Sequence, residues 1–178
     1  METRFHDATS SDWFAVQVVA RREHLTATHL SVRGYEVFLP CYTERRRWAD
    51  RVKIVDRTLF PGYLFARAEA NPERIVTAPG VIRIVGNSDG PICVAPWEMQ
   101  AIQHVIDAGS RVEPCPVPRA GERVRIEEGP LRGVEGTVLF IKGGNRLVVT
   151  ISLLQRSVST EIDSAWSFVS SSSCSYLS

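Results

Sequence analysis

Long apolar runs are missing from this chain. No stretch approaches the roughly 18 residues that a membrane-spanning helix needs. The opening METRFHDATSSD is polar and mixed in charge, without the apolar core of a secretory signal. A cytoplasmic protein with no membrane partner is expected. Cysteine is scarce: Cys41, Cys93, Cys115 and Cys174 lie far apart with no CxxC, so reduced thiols are expected rather than a disulfide framework or a metal site. His6, His24, His29 and His104 share no metal-ligand spacing with one another or with cysteine. There is no Walker A loop, no GxSxG and no dinucleotide fingerprint, and the GNSDG at 86–90 reads as a turn rather than a phosphate cradle. The chain is therefore expected to be no enzyme and to carry no cofactor and no metal. Net charge is nearly absent too, 21 Lys and Arg against 20 Asp and Glu leaving +1. That excludes a wholly polybasic binder but not a local basic patch.

What is present is two kinds of chain joined by prolines. The 178 residues suit one medium domain or two small ones. Pro114, Pro116 and Pro118 stand at alternate positions, a spacing that cannot continue a helix and favours extended geometry. Residues 108–118 are read as a linker that leaves the flanking domains free in orientation. Before it, 12–107 form one domain. After it, 119–169 form a second, and the serine-rich 170–178 are expected to be a flexible tail.

In the first domain, 13–19 is an apolar run short enough for a buried strand. Residues 21–33 carry Leu25, Thr28, His29 and Val32 at helical spacing, with Gly34 as the stop. Further strands are expected at 35–39, 62–67 and 81–85, and hairpin arms at 42–48 and 52–60. Asn71-Pro72 opens a short helix, and a last helix begins near Pro96 with Met99, Ile102, Val105 and Ile106 on one stripe. That order predicts an α+β chain: a mixed α/β sandwich first, then a small five-stranded β-barrel built from the glycine-rich, β-branched residues after the linker. Gly129, Gly133 and Gly136 read as turn or close-approach positions in that barrel.

The segment LFPGYLF at 59–65 resembles the hallmark of NusG-type transcription elongation factors. Trp13-Phe14 and Pro79-Gly80-Val81 fall where that family has its opening aromatic pair and a later turn. GERVRIEEGPLRGVEGTV at 121–138 resembles a KOW motif. The resemblance covers about 12–169. RRRWADR at 45–51 further resembles the specialised paralogues of the RfaH, UpxY and LoaP kind.

The resemblance implies a monomeric transcription elongation and antitermination factor. Its N-terminal (NGN-like) domain would dock on the clamp helices of the largest catalytic subunit of RNA polymerase, and its KOW domain would recruit a second partner, a ribosomal protein or Rho. The polymerase-binding candidates are Phe14, Phe60, Pro61, Tyr63, Phe65, Met99, Ile102 and Ile106. By strand alternation Phe60, Leu64 and Ala66 face one way and Tyr63 and Phe65 the other, so helices covering one side only would leave two aromatics bare, a partner-site signature. The competing reading is that both are core. For non-template DNA the candidates are Arg21, Arg22 and His29, with Arg45, Arg46, Arg47 and Trp48 on the hairpin, whose stretch 44–57 holds six basic and three acidic residues. The alternative is a solvated surface protected from edge pairing by charge. Arg132, Lys142, Arg146, Leu153 and Leu154 are the candidates for the KOW partner, with solvated charge or core packing as the other reading.

Some specialised paralogues hold the KOW segment as a helical hairpin. The five glycines and one proline between 129 and 144 disfavour helix, and strands are expected at 134–160. The rival function is an RNA- or ribosome-binding KOW module. An RNA-recognition sheet should carry an aromatic RNP signature, which this chain lacks.

Overall fold

The computed structural model describes residues 12–47, 52–68, 72–109, 111–119, 121–141, 144–163 and 166–170, with backbone alone at 45–47, 52, 53 and 141. Trp48, Lys142, Cys174 and the serine-rich tail beyond residue 170 lie outside the described residues. The chain divides into two compact units, Met1–Pro96 and Trp97–Ser178.

The first unit contains β1 (Asp12–Val18), α1 (Glu23–Val32), β2 (Glu36–Phe38), β3 (Cys41–Arg47), β4 (Val52–Thr58), β5 (Tyr63–Ala68), a 3-10 turn (Pro72–Thr77), β6 (Val81–Ile84) and a two-residue hairpin of β7 (Gly86–Asn87) with β8 (Gly90–Pro91). β1 lies inside a four-stranded antiparallel sheet of order β2-β5-β1-β6. Its centre, Ala15 and Val16, is fully buried, which is why its run is continuously apolar rather than alternating. One face carries the core: Phe14, Val16, Val18, Leu64, Ala66 and Ile84, closed by Leu30 of α1 and Ile75 of the 3-10 turn. β3 and β4 pair by themselves as a ribbon from Cys41↔Thr58 to Arg47↔Val52, as the hairpin reading expected.

Two local expectations are corrected. The apolar stripe expected on α1 is its outer face: Leu25 is 51% and Val32 82% exposed. The buried stripe is Glu23, Thr26 and Leu30. A polar anchor at Glu23 and one large apolar residue at Leu30 set the rotation, and Leu25 and Val32 are left in water. On the strand after the hairpin, alternation does not reach back to Phe60. β5 starts at Tyr63, whose N–H donates to the Phe60 carbonyl across a turn at 3.0 Å. That turn swings the Phe60 ring onto Phe65, so the two share a side.

The second unit contains α2 (Pro96–Asp107, all but its first residue), β9 (Val112–Cys115), β10 (Glu122–Ile126), β11 (Glu135–Ile141), β12 (Gly144–Ile151), a 3-10 turn (Ser152–Leu154), β13 (Arg156–Ile162) and β14 (Phe168–Ser170). The strands form one antiparallel sheet of order β14-β10-β11-β12-β13-β9. The expectation of a closed five-stranded barrel is modified: the sheet has six strands, and among the described residues no pairing joins β14 to β9. The sixth strand comes from the stretch read as linker. β9 contains Pro114, which an edge strand tolerates because one of its sides needs no hydrogen bonds. The core is Val124, Ile126, Leu131, Val138, Leu147, Val149, Ile151 and Val158. The described residues within 134–160 are strands and one 3-10 turn, with α2 the unit's one α-helix among the described residues. A Cβ on Gly136 would stand 2.6 Å from the Val148 carbonyl oxygen, so β11 and β12 approach too closely there for any larger residue.

Candidate functional site

The FPGY and PGV segments build one local device. The Val18 N–H donates to the Gly62 carbonyl at 2.9 Å, and the Gly62 N–H donates to Glu23 Oε1 at 2.9 Å. On the other side the Val19 N–H donates to the Gly80 carbonyl at 2.9 Å. Gly80 has φ +90°, and a Cβ there would lie 2.2 Å from Thr26 Oγ1. His29 Nδ1 sits 3.2 Å from the Pro79 carbonyl oxygen. Two glycine turns therefore bracket the end of β1, and both are fastened to α1. At the tip Pro61 is exposed and Tyr63 half-buried.

Beneath the tip lies an aromatic ladder. Phe60 meets Phe65 edge-on at 5.6 Å, Phe38 lies 6.2 Å from Phe65, and Trp13 lies 6.3 Å from Phe38. The Arg67 guanidinium stands 5.9 Å over the Trp13 ring. Phe65 is fully buried and Phe60 is 1% exposed, so the expectation of two bare aromatics is corrected: the neighbouring rings close over Phe65, and only Tyr63 keeps access to solvent. Phe14 does not join this group. Its register partner is Ala66, whereas that of Phe65 is Ala15, so Phe14 and Phe65 lie on opposite faces of the sheet. Met99 and Ile102 are buried and Ile106 half-buried on α2, in the second unit.

Among the DNA candidates, Arg21 and Arg22 are exposed, Arg21 with a left-handed φ of 65° and Arg22 as the N-cap of α1. His29 is half-buried against the Pro79 carbonyl. The backbones of Arg45, Arg46 and Arg47 continue the ribbon opposite Ile54, Lys53 and Val52.

In the second unit, Arg146 is drawn into ion pairs with Glu161 at 3.4 Å and Glu113 at 3.7 Å. Leu153 and Leu154 are half-buried in the 3-10 turn. That turn is held by the buried Glu98 carboxylate, which accepts the Ser152 N–H at 3.1 and 3.3 Å. Arg132 is exposed and has no ion pair among the described residues. It borders a 300 Å³ cleft with Trp97, Gln100, His104, Arg125 and Glu135. Sequence reading missed this cleft. Trp97 lies in the first turn of the helix, and nothing in the residue order indicates that it meets β10 and β11. Burial raises the thiol pKa of both Cys41 and Cys115. Asp56 and Glu23 add to it at Cys41, while a hydrogen bond from Ser159 and the charge of Arg146 partly offset it at Cys115. No helix among the described residues is long and apolar enough to cross a membrane.

This chain is 27% identical over 172 residues to the transcription termination/antitermination protein NusG of Vibrio parahaemolyticus, a match covering 88% of this chain and 94% of the relative. The protein of the same name from Thermus thermophilus is 24% identical over 181 residues, covering 86% and 96%. Among solved structures, that of domain interaction in Thermotoga maritima NusG is 20% identical with a TM-score of 0.49, covering 88% of this chain and all of that one. A family model described as transcription termination factor nusG matches residues 11–103. That span is more than half of the chain and contains both glycine turns, β1 and the aromatic ladder, and on it the chain belongs to the NusG family of transcription termination and antitermination factors.

Proposed function

We propose that this chain is a specialised member of its family: it binds RNA polymerase through its N-terminal unit, promotes processive transcription, and recruits a second partner through a KOW domain. The carrying observation is the rigid FPGY turn. Its glycine is hydrogen-bonded on both sides, to Val18 and to Glu23, which holds Pro61 and Tyr63 at a fixed tip. A preorganised tip with an accessible tyrosine is the kind of feature from which hot spots are made. In this reading Pro61 and Tyr63 touch the clamp helices of the largest subunit, Phe14, Phe60 and Phe65 shape the sheet beneath, and Met99, Ile102 and Ile106 contribute from α2. The exposed Arg21 and Arg22, with His29 and the hairpin of Arg45, Arg46, Arg47 and Trp48, meet non-template DNA. The run 45–51 supports the specialised assignment, and the names of the curated relatives, which pair termination with antitermination, support action on elongation. The KOW domain corresponds to residues 119–169 and meets a ribosomal protein or Rho through Leu153, Leu154, Arg132, Lys142 and Arg146. The protein works as a cytoplasmic monomer.

The test is co-purification of the full chain with RNA polymerase and a purified transcription assay over a pause site. Pro61→Ala/Tyr63→Ala should weaken polymerase binding roughly 30-fold, equivalent to about 2 kcal/mol. A wild-type chain that neither binds polymerase nor changes pausing overturns the reading.

A further inference from the structure

We propose that the cleft beside α2 is a binding site for single-stranded nucleic acid, with a base stacked on Trp97 and its phosphate on Arg132. This inference goes beyond the polymerase reading and does not rest on it, because the cleft belongs to the second unit alone. Its volume of 300 Å³ stands at the small end of ligand sites, the size of one nucleotide-like group rather than a length of folded partner. Trp97 is 43% exposed, so part of its indole is open to a ligand. The Arg123 guanidinium stacks over its ring at 5.3 Å, which orients the indole and leaves its other surroundings to the cleft.

The polar groups are arranged for an anion with an aromatic attached. Arg125 and Glu135 satisfy each other through hydrogen bonds from Nε and Nη2, so they form a fixed wall rather than a free charge. His104 is anchored by the Pro130 carbonyl at 3.1 Å. Arg132 is left as the unpaired cation of the lining. Arg125 and Arg132 line the cleft with Glu135, and Glu127, just past β10, acts on Arg125. One uncommitted guanidinium next to a half-exposed indole is the pairing that single strands use: backbone charge for the arginine, a base face for the ring, with the Gln100 amide at the base edge. An acidic peptide would engage Arg132 but would leave the indole without a planar partner, so nucleic acid is favoured.

The probes are fluorescein-labelled oligo(U) and oligo(dT) of about twelve nucleotides, within the usual span of one small β-domain. Fluorescence anisotropy with the intact chain at low salt, without polymerase, reads the binding. Both single strands should bind, more weakly as salt rises. Trp97→Ala and Arg132→Ala should each weaken binding at least about fivefold, Trp97→Phe should retain most of it, and Arg74→Ala, a charge removed on the first unit, should change it less than about twofold. Tighter binding of oligo(U) assigns the site to RNA, tighter binding of oligo(dT) assigns it to DNA, and equal binding means the site reads what the two share. The proposal is overturned if the wild type binds neither strand, if a folded Trp97→Ala or Arg132→Ala binds as the wild type does, if Arg74→Ala costs as much as Arg132→Ala, or if a DNA duplex or an acidic peptide binds as tightly. Circular dichroism checks each variant; should Trp97→Ala unfold, Trp97→Leu, which keeps apolar bulk without an aromatic face, takes its place and is expected to lose binding as Trp97→Ala would, and Arg132→Ala decides beside it.

Discussion

Two aromatics two residues apart on β5 play different parts. Phe65 is fully buried against Phe38 and Phe60, so Phe65→Ala should cost about 3–5 kcal/mol in urea unfolding. Tyr63 is half-buried at the tip, and Tyr63→Ala should cost only about 1 kcal/mol. If both substitutions cost the same, the difference in burial is not expressed in stability. Glycine at position 80 can be examined in the same way. A Cβ there meets Thr26 Oγ1 at 2.2 Å, and φ +90° is strained for any L side chain by about 1–3 kcal/mol. Thr26 Oγ1 is buried with no hydrogen-bond partner among the described residues, so Thr26→Ala alone should be mild. Gly80→Ala should be strongly destabilising, and adding Thr26→Ala should recover part of the loss, the contact part but not the backbone part. Strict additivity in this double-mutant cycle would show that the two sites do not touch. The turn at Gly80 was legible through the family resemblance, whereas Gly62 reads from the sequence as the start of a strand and instead sits in a turn with φ +81°. The attachment of both glycines to α1 was not legible, because it runs through Glu23 and Thr26, two polar residues whose burial no hydrophobic pattern announces.

At the scale of elements, periodicity identified α1 but not its buried face, since Leu25 and Val32 are as apolar as Leu30 and only the packing chooses between them. The segment at 108–118 shows the converse. Three alternate prolines correctly exclude helix and indicate extended chain, but extended chain with prolines is also what an edge strand allows, and β9 takes that option beside β13. The pairing explains why Ser157, Ser159 and Thr160 are all buried on one strand. It also makes a test available, because Cys115 stands opposite Ser157. Directly opposed residues of an antiparallel pair have Cα atoms about 4.5–5.5 Å apart, within disulfide reach. Ser157→Cys should therefore cross-link to Cys115 under mild oxidation. Burial raises the Cys115 pKa, so the thiolate is scarcer than usual at neutral pH and the cross-link should form faster as pH rises into the alkaline range. A variant that forms no intramolecular disulfide at any pH would mean that β9 does not occupy this edge in solution.

For the whole molecule the open matter is where the second unit begins. Composition places a boundary at the prolines, so that a fragment starting at 119 would hold everything the KOW domain needs. The contacts within the second unit place more upstream of that point. Glu98 accepts the Ser152 N–H, Arg123 stacks on Trp97, His104 meets the Pro130 carbonyl, and β9 covers the β13 edge. A fragment 119–178 loses all four. It leaves the Ser152 N–H without its carboxylate, which costs about 1–3 kcal/mol if the group stays shielded from water, and it exposes the edge of β13. Fragment 95–178 keeps them. Its urea midpoint should therefore be clearly higher than that of 119–178, and Glu98→Ala should lower it part of the way. The exposed edge gives a second readout, since 119–178 should associate at concentrations where 95–178 stays monomeric. Equal midpoints for the two fragments would mean that α2 and β9 lend the sheet no stability, and that the composition break at the prolines is the physical boundary. A higher midpoint for the longer fragment would mean that the helix and the proline-rich strand fold with the C-terminal sheet, a coupling that hydropathy alone, which records only local pattern, does not reveal.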